Sequence, residues 1–199
     1  YIIITSHIVT KMKKPLNENQ VKTIRKMTAD NPLHNLLINL STDLMLRASD
    51  LLKLKVSDVM FENGKVRETV KVKQKKTKNY TIDIPLSDHS KKSISKFLCD
   101  KNADDFIFAG QKSHYTRKAI STVQYQRIIK GWMRMLGVDD VSSYSTHSMR
   151  KTLASHIYSK TNNVEAVRRL LGHQSVTATS SYLNVNNEDA AALAVQHHF

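Results

Sequence analysis

One stretch of alternating residues interrupts a chain whose hydrophobic pattern is otherwise helical. Between Val66 and Pro85, the runs VRETVKV and YTIDI alternate branched or aromatic residues with polar ones, and a lysine-rich QKKTKN separates them. Alternation with a period of two is typical of half-buried strands, and two such runs joined by a short polar segment predict a hairpin. The sequence therefore predicts a mainly α fold with a small antiparallel β-sheet, in the α+β class.

Helices are predicted on both sides of this hairpin by apolar residues at helical spacing and by capping signals. Asn17 with Gln20 resembles a capping box, and Asn31 before Pro32 is typical of a helix start. Gly172 marks a helix end, and FIFAG predicts a short buried segment. The predicted helical ranges are 18–27, 32–46, 88–98, 120–136, 147–158, 164–171, 177–183 and 188–196.

The charge balance favours a nucleic-acid partner. The chain has 31 lysines and arginines against 17 acidic residues, for a net charge of +14. Such a charge suits a phosphate-binding surface, although a solvated basic surface explains the same numbers. A single cysteine, Cys99, excludes an internal disulfide and agrees with a reducing compartment. No apolar run is long enough to cross a bilayer, so we expect a cytoplasmic protein without a membrane partner.

The residues with the most specific chemistry lie in the last third of the chain. THSMRKTLASHIY contains His147 and Arg150, which are three apart and therefore on one side of a helix. RRLLGHQSVTATSSYL contains His173 and, nine positions later, Tyr182. Two histidines, an arginine and a tyrosine are what phosphodiester chemistry needs in the absence of a metal. Zinc binding is the rival explanation for the histidines, but no zinc-ligand spacing is present.

An earlier arginine supplies a second guanidinium. Arg47, in LMLRASDLLKLKVSDV, is predicted to end a buried helix, where rigid neighbours can aim its planar fork at two phosphate oxygens. A surface salt bridge to Asp43 or Asp50 is the alternative for this residue taken alone.

In the order and spacing of these residues, the chain resembles the tyrosine recombinase (phage integrase) family from about Pro15 to Leu183. The resemblance implies the catalytic-domain fold of that family. It also implies a catalytic set, which consists of Arg47, Lys76, His147, Arg150, His173 and Tyr182, with Asp50 supporting the first arginine. The family usually has glycine two residues before that arginine and glutamate three after it. Here the two positions are Met45 and Asp50.

The family mechanism assigns a role to each residue. Tyr182 attacks a DNA phosphodiester, and the two arginines with His173 stabilise the charge that develops on phosphorus. His147 assists the proton transfer from the tyrosine. Lys76 is the expected general acid, because Lys-Thr before the second strand matches the family pattern. Its competitors in the same run are Lys73, Lys75 and Lys78.

The resemblance therefore implies a site-specific recombinase, or integrase, that forms a 3′-phosphotyrosyl intermediate on double-stranded DNA without a metal, a cofactor or ATP. A type IB topoisomerase-like enzyme and a catalytically silent DNA-binding regulator are the alternatives. The expected assembly is a homotetramer on paired DNA sites, in a bacterial, archaeal or phage-host cytoplasm.

The chain is expected to form one domain, because no linker rich in glycine, proline or serine divides it. We expect residues 1–14 to be a linker remnant, residues 15–186 the catalytic domain, and residues 187–199 a tail helix. Leu193 and Val195 of this tail are expected to insert into a neighbouring protomer, and packing on the tail's own domain is the alternative.

Overall fold

The computed structural model describes residues 12–110 and 118–183. Nine helices and two short strands form its framework within these ranges. In chain order they are α1 (Glu18–Met27), α2 (Pro32–Leu44), α3 (Ala48–Leu51), α4 (Val56–Val59), β1 (Thr69–Val70), β2 (Ile84–Pro85), α5 (Asp88–Leu98), α6 (Thr122–Met135), α7 (Thr146–Thr161), α8 (Val164–Leu171) and α9 (Val176–Leu183). A single 3₁₀ turn, Val141–Ser143, precedes α7.

Helix α2 is the centre of the fold. Its residues from Asn35 to Leu44 are all buried, and it packs against both α5 and α7. A helix that is buried on every side must be apolar around its whole circumference or satisfy its polar groups internally. Here the Asn39 amide donates to Asn35 and Ser93, which links α2 to α5. The main core continues to Trp132 of α6, which is fully buried.

The hairpin is shorter and less regular than the alternation predicts. Val70 pairs with Ile84 in the antiparallel ladder, whereas Lys73 pairs with Tyr80 in an isolated bridge. Between these two pairs the chain advances three residues on the first side and four on the second. The second side therefore has one extra residue, as in a β-bulge. The Val72 N–H donates to the Thr81 hydroxyl at 3.0 Å instead of to a main-chain carbonyl. This side-chain contact replaces one main-chain hydrogen bond of the ladder, while the Thr81 N–H still donates to the Val72 carbonyl at 2.9 Å.

Arg47 does not end a helix as predicted. Helix α2 stops at Leu44, because Met45 adopts a left-handed conformation with φ 48°. Arg47 follows at the N-cap of α3. Met45 is held in this conformation by burial in a second apolar cluster with Ala154, Val167 and Leu171. The family's glycine would adopt the same φ without steric strain.

The predicted fold class is confirmed: the structure is mainly helical with one small antiparallel sheet. Seven of the eight predicted helices are present with boundaries shifted by a few residues, and the short helices α3 and α4 were not predicted. The eighth, at 188–196, lies outside the described residues. Within residues 12–110 and 118–183, no helix combines the length and apolar character that a membrane span requires.

Candidate active site

Five of the six predicted catalytic residues line one pocket of about 470 Å³. They reach it from four places in the chain: the start of α3, the start of α7, the segment after α8, and the end of α9. The five are Arg47, His147, Arg150, His173 and Tyr182. The rest of the lining consists of small side chains, those of Ala48, Ser49, Thr122 and Thr146.

Arg150 is the most deeply buried of the five, with 4% of its surface exposed. Its Nη2 donates to the Leu171 main-chain oxygen at 2.7 Å, which joins α7 to the end of α8. Burial and the nearby Arg47 lower the pKa of Arg150 to about 10, while the Tyr182 and Asp50 side chains oppose that change. The guanidinium therefore stays charged at neutral pH in a poorly solvated position, which favours an anionic ligand.

His173 follows the helix stop at Gly172 and is held from two sides. Its carbonyl accepts from Arg168 Nη1 at 2.8 Å, and its Nδ1 lies 3.1 Å from the Thr179 hydroxyl. Burial and then the two arginines, Arg150 and Arg47, lower its pKa to about 4. The imidazole is therefore neutral near pH 7. In the tautomer in which the Thr179 hydroxyl donates to Nδ1, the other ring nitrogen, Nε2, carries the proton and can donate to a phosphate oxygen.

Tyr182 lies at the end of α9, where its ring packs against the second apolar cluster. The His173 and Tyr182 rings meet edge to face with centroids 5.3 Å apart. Burial raises the pKa of the phenol, and Arg150 and Arg47 lower it. Its hydroxyl donates to the main-chain oxygen of His147 at 3.5 Å. The phenol is therefore protonated at neutral pH and must lose its proton as it attacks.

His147 occupies the first turn of α7, where Ser145 caps the helix by accepting from the His147 N–H at 3.2 Å. Its side chain is exposed to the pocket. Burial of part of the ring, followed by the charges of Arg150 and Arg47, lowers its pKa. The structure places its carbonyl, rather than its imidazole, against the Tyr182 hydroxyl.

Arg47 pairs with neither carboxylate that the sequence suggested. Its Nη1 donates to Gln74 Oε1 at 2.6 Å. Asp43 accepts from the Ser87 N–H at 2.8 Å, and Asp50 accepts from the Lys75 N–H at 2.9 Å. The Asp50 carboxylate, which was expected to orient Arg47, therefore holds the loop between the strands instead.

Lys76 is not part of the pocket lining. It lies in the loop between β1 and β2, residues 74–79, which we call the lysine turn. The Gln74 N–H donates to the Asn79 carbonyl at 2.9 Å, and the Lys78 N–H donates to the Gln74 carbonyl at 3.0 Å, so Gln74 closes the turn. Lys76 is exposed, as are Lys73, Lys75 and Lys78. Its role as general acid stays a prediction.

Three neighbours of the site were missed in the sequence. Lys151 is 6% exposed and places its ammonium 5.0 Å from the centre of the Tyr182 ring, where a cation is attracted to the aromatic face. Thr179 contacts His173, and Gln74 contacts Arg47. Lys151 could have been found from its position directly after Arg150. Thr179 lies only six residues after His173, but no sequence pattern marks it. Gln74 lies 27 positions from Arg47, so no local pattern signals that contact.

The chain matches the phage integrase family over residues 14–189. It belongs to that family. One relative is a probable integrase/recombinase, YoeC, of Bacillus subtilis strain 168, which is 29% identical over 147 residues; the match covers 74% of this chain and 75% of that protein.

Two solved structures share the fold. The XerA recombinase is similar with a TM-score of 0.72 and 18% identity, over 94% of this chain and 66% of that one. The XerH site-specific recombinase, bound to palindromic difH substrate in a post-cleavage complex, is similar with a TM-score of 0.69 and 19% identity, over 94% of this chain. The match spans 54% of the XerH chain, so much of that protein has no counterpart in these 199 residues.

Proposed function

We propose that this chain is the catalytic domain of a site-specific DNA recombinase that cleaves and rejoins double-stranded DNA through a 3′-phosphotyrosyl intermediate. The observation that supports it best is the pocket shared by Tyr182, His173, Arg47 and Arg150, since it combines a nucleophile with fixed donors for a phosphate. Members of the same family are integrases and tyrosine recombinases, and one of them is known bound to a DNA substrate after cleavage.

In the proposed cleavage step, the Tyr182 oxygen attacks the phosphorus and the bond from phosphorus to the 5′ oxygen breaks. The leaving 5′ oxygen takes a proton from Lys76. The His147 carbonyl holds the phenol hydroxyl before reaction, and the proposed step requires the neutral His147 imidazole, which lines the same pocket, to turn toward that hydroxyl and take its proton. Arg47, Arg150 and His173 stabilise the negative charge on the nonbridging oxygens. The phosphorus remains esterified to the tyrosine, which conserves the bond energy without ATP.

Rejoining reverses these transfers with a different DNA strand. A 5′ hydroxyl from the second site attacks the phosphotyrosine and gives its proton to Lys76, the bond from phosphorus to the Tyr182 oxygen breaks, and the leaving phenolate takes its proton back from His147. Exchange of four strands needs four active sites, so the proposed assembly is a homotetramer on paired DNA sites. Residues 187–199 are the proposed contact between protomers. Deleting them should reduce cooperative binding to two-arm sites and spare single-arm binding in gel-shift titrations; unchanged cooperativity would exclude this contact.

The proposal is tested with nicked duplexes tiled across the DNA on either side of the gene. The wild-type protein should form a covalent protein–DNA band on denaturing gels with one of these duplexes. Tyr182→Phe should lose that band entirely and keep its gel-shift affinity, because only the nucleophilic oxygen is removed. An adduct formed by the Phe variant would show that another residue is the nucleophile.

The alternative functions are separated by adding a supercoiled plasmid with two candidate sites and a gel-shift measurement to the adduct assay. Relaxation of supercoiled DNA without exchange between two sites would indicate a topoisomerase-like enzyme. Sequence-specific binding without any adduct would indicate a DNA-binding regulator.

A further inference from the structure

The lysine turn contains one buried side chain among exposed lysines. Gln74 is 3% exposed, whereas the four lysines around it are exposed. A buried amide is unfavourable unless its oxygen and nitrogen are both hydrogen-bonded. The contacts of Gln74 therefore indicate what the turn is attached to.

The Gln74 amide connects the two arginines of the pocket. Its Oε1 accepts from Arg47 Nη1 at 2.6 Å, and its Nε2 donates to the Leu171 carbonyl at 3.4 Å. The same carbonyl accepts from Arg150 Nη2 at 2.7 Å. Arg47, Gln74, the Leu171 carbonyl and Arg150 thus form one hydrogen-bonded chain.

Gly172 allows the Gln74 side chain to reach this position. A Cβ atom at residue 172 would lie 2.5 Å from Gln74 Nε2, well inside van der Waals contact. Gly172 also has φ +64°, a conformation that favours glycine. Because His173 follows directly, the amide contacts the segment that presents the histidine as well as the first arginine.

The main chain of Gln74 closes the lysine turn at the same time. It pairs with Asn79 and Lys78, and the next N–H, that of Lys75, donates to the Asp50 carboxylate. The side chain of one residue therefore contacts the pocket, while its backbone sets where the turn begins.

We propose that Gln74 is a positioning residue that couples the lysine turn to the arginines of the active site, so that Lys76 and Arg47 act on the same phosphate. The proposal rests on the recombinase function above. A neutral amide suits this place because it holds Arg47 by its oxygen without cancelling the positive charge that the phosphate must meet. A carboxylate would bind Arg47 more strongly and neutralise it, and would have no proton to donate to Leu171.

The test compares Gln74→Met, which keeps the length and removes the polar atoms, with wild type. Single-turnover cleavage is measured on the nicked duplex and on the same duplex with a 5′-bridging phosphorothiolate, whose sulfur leaves without needing a proton. Gln74→Met should cleave the ordinary phosphodiester about tenfold more slowly or worse, the scale of one lost hydrogen bond to a charged group. The phosphorothiolate should recover part of this loss, and the remainder should persist.

Partial recovery supports the proposal because it shows both a proton-transfer defect and a charge-stabilisation defect. Complete recovery would overturn the link to Arg47, no recovery would overturn the link to Lys76, and wild-type cleavage would overturn both. If the wild-type protein forms no adduct on any duplex, the recombinase function itself fails, which is a separate result.

Two controls exclude a general loss of folding. Gln124→Met makes the same substitution at an exposed position of α6 that is not part of the pocket lining, and it should cleave like wild type. Gln74→Met should also slow phosphorothiolate cleavage far less in an Arg47→Ala background, because residues in one hydrogen-bonded chain are not additive. If Gln74→Met and Arg47→Ala slow cleavage additively and Gln74→Met also lowers the melting temperature, the role of Gln74 is purely structural and the proposal is overturned.

Discussion

Arg150 and the lysine turn are held in opposite ways. The Arg150 guanidinium is buried and donates to the Leu171 carbonyl at the end of α8, and His173 is hydrogen-bonded to Thr179 and Arg168. The lysines of the turn are exposed, and the turn is joined to the site through Gln74 and Asp50. The groups that stabilise charge are therefore in place before any substrate binds, whereas the proposed proton donor is not part of the pocket lining.

This difference fits what each group must do. Charge stabilisation is most effective when the donors are preorganised, since no free energy is then needed to reorient them during the reaction. A proton donor must instead reach one bridging oxygen and take its proton back in the rejoining step. We therefore expect variants of the buried Arg150 to affect both activity and stability, and variants of the exposed lysines in the turn to affect activity alone.

The largest expected effect is that of Arg150→Ala. Loss of one fixed donor should slow adduct formation about a hundredfold or more. The melting temperature should also fall, because the substitution leaves a cavity and removes the hydrogen bond from Arg150 to the Leu171 carbonyl. Arg150→Lys should not restore the rate, since an ammonium lacks the planar fork.

Arg169→Ala, which removes an exposed arginine of α8 paired with Glu165, is the matched control and should behave like wild type. Normal cleavage by Arg150→Ala would show that this residue only supports the fold.

Lys76→Ala should separate activity from stability. We expect about a hundredfold slower cleavage with an unchanged melting temperature, because the side chain is exposed. The 5′-bridging phosphorothiolate should restore the rate almost fully. Lys75→Ala and Lys78→Ala are tested in parallel on both substrates. Rescue of one of these variants, with wild-type behaviour of Lys76→Ala, would assign the general acid to the rescued position.

The same contrast explains how far the sequence alone could predict this site. The histidines, Arg150 and Tyr182 lie in helices and caps whose signals are local, so both the residues and their elements were found. The left-handed conformation of Met45 is not signalled, because bulky residues rarely adopt it and a tertiary cluster supplies the compensation. The link of Gln74 to the pocket has no local signal either, since Arg47 and Leu171 lie 27 and 97 positions away along the chain.

A smaller effect, on stability, is expected at Gly172, which lies against the Gln74 side chain of the lysine turn. Gly172→Ala should destabilise the protein by about 1–2 kcal/mol from the left-handed backbone alone, and further through overlap with Gln74. Gly131→Ala is the matched control: this glycine lies in α6 with open space around its Cβ position, so helix propensity predicts a small gain. Both are measured by urea unfolding. The additional loss at Gly172 should disappear in a Gln74→Ala background, and if it does not, the two residues are not in contact.

The last predicted effect appears only at acidic pH, and it is a pH dependence of stability that comes from the half-buried His173. Burial and the arginines lower the pKa of His173 to about 4 in the folded protein, from an ordinary value of 6.5. Between these values the unfolded chain binds a proton that the folded chain does not, so stability falls as the pH drops from about 6.5 to about 4. Above about pH 7 neither state is protonated, and His173 adds no pH dependence. The melting temperature of His173→Gln should therefore fall less than that of wild type between pH 7.5 and pH 5. His156→Gln, at an exposed position of α7, is the control, and its melting temperature should fall with pH at the wild-type slope. Equal slopes for all three proteins would mean that the imidazole of His173 is protonated as easily in the folded pocket as in the unfolded chain.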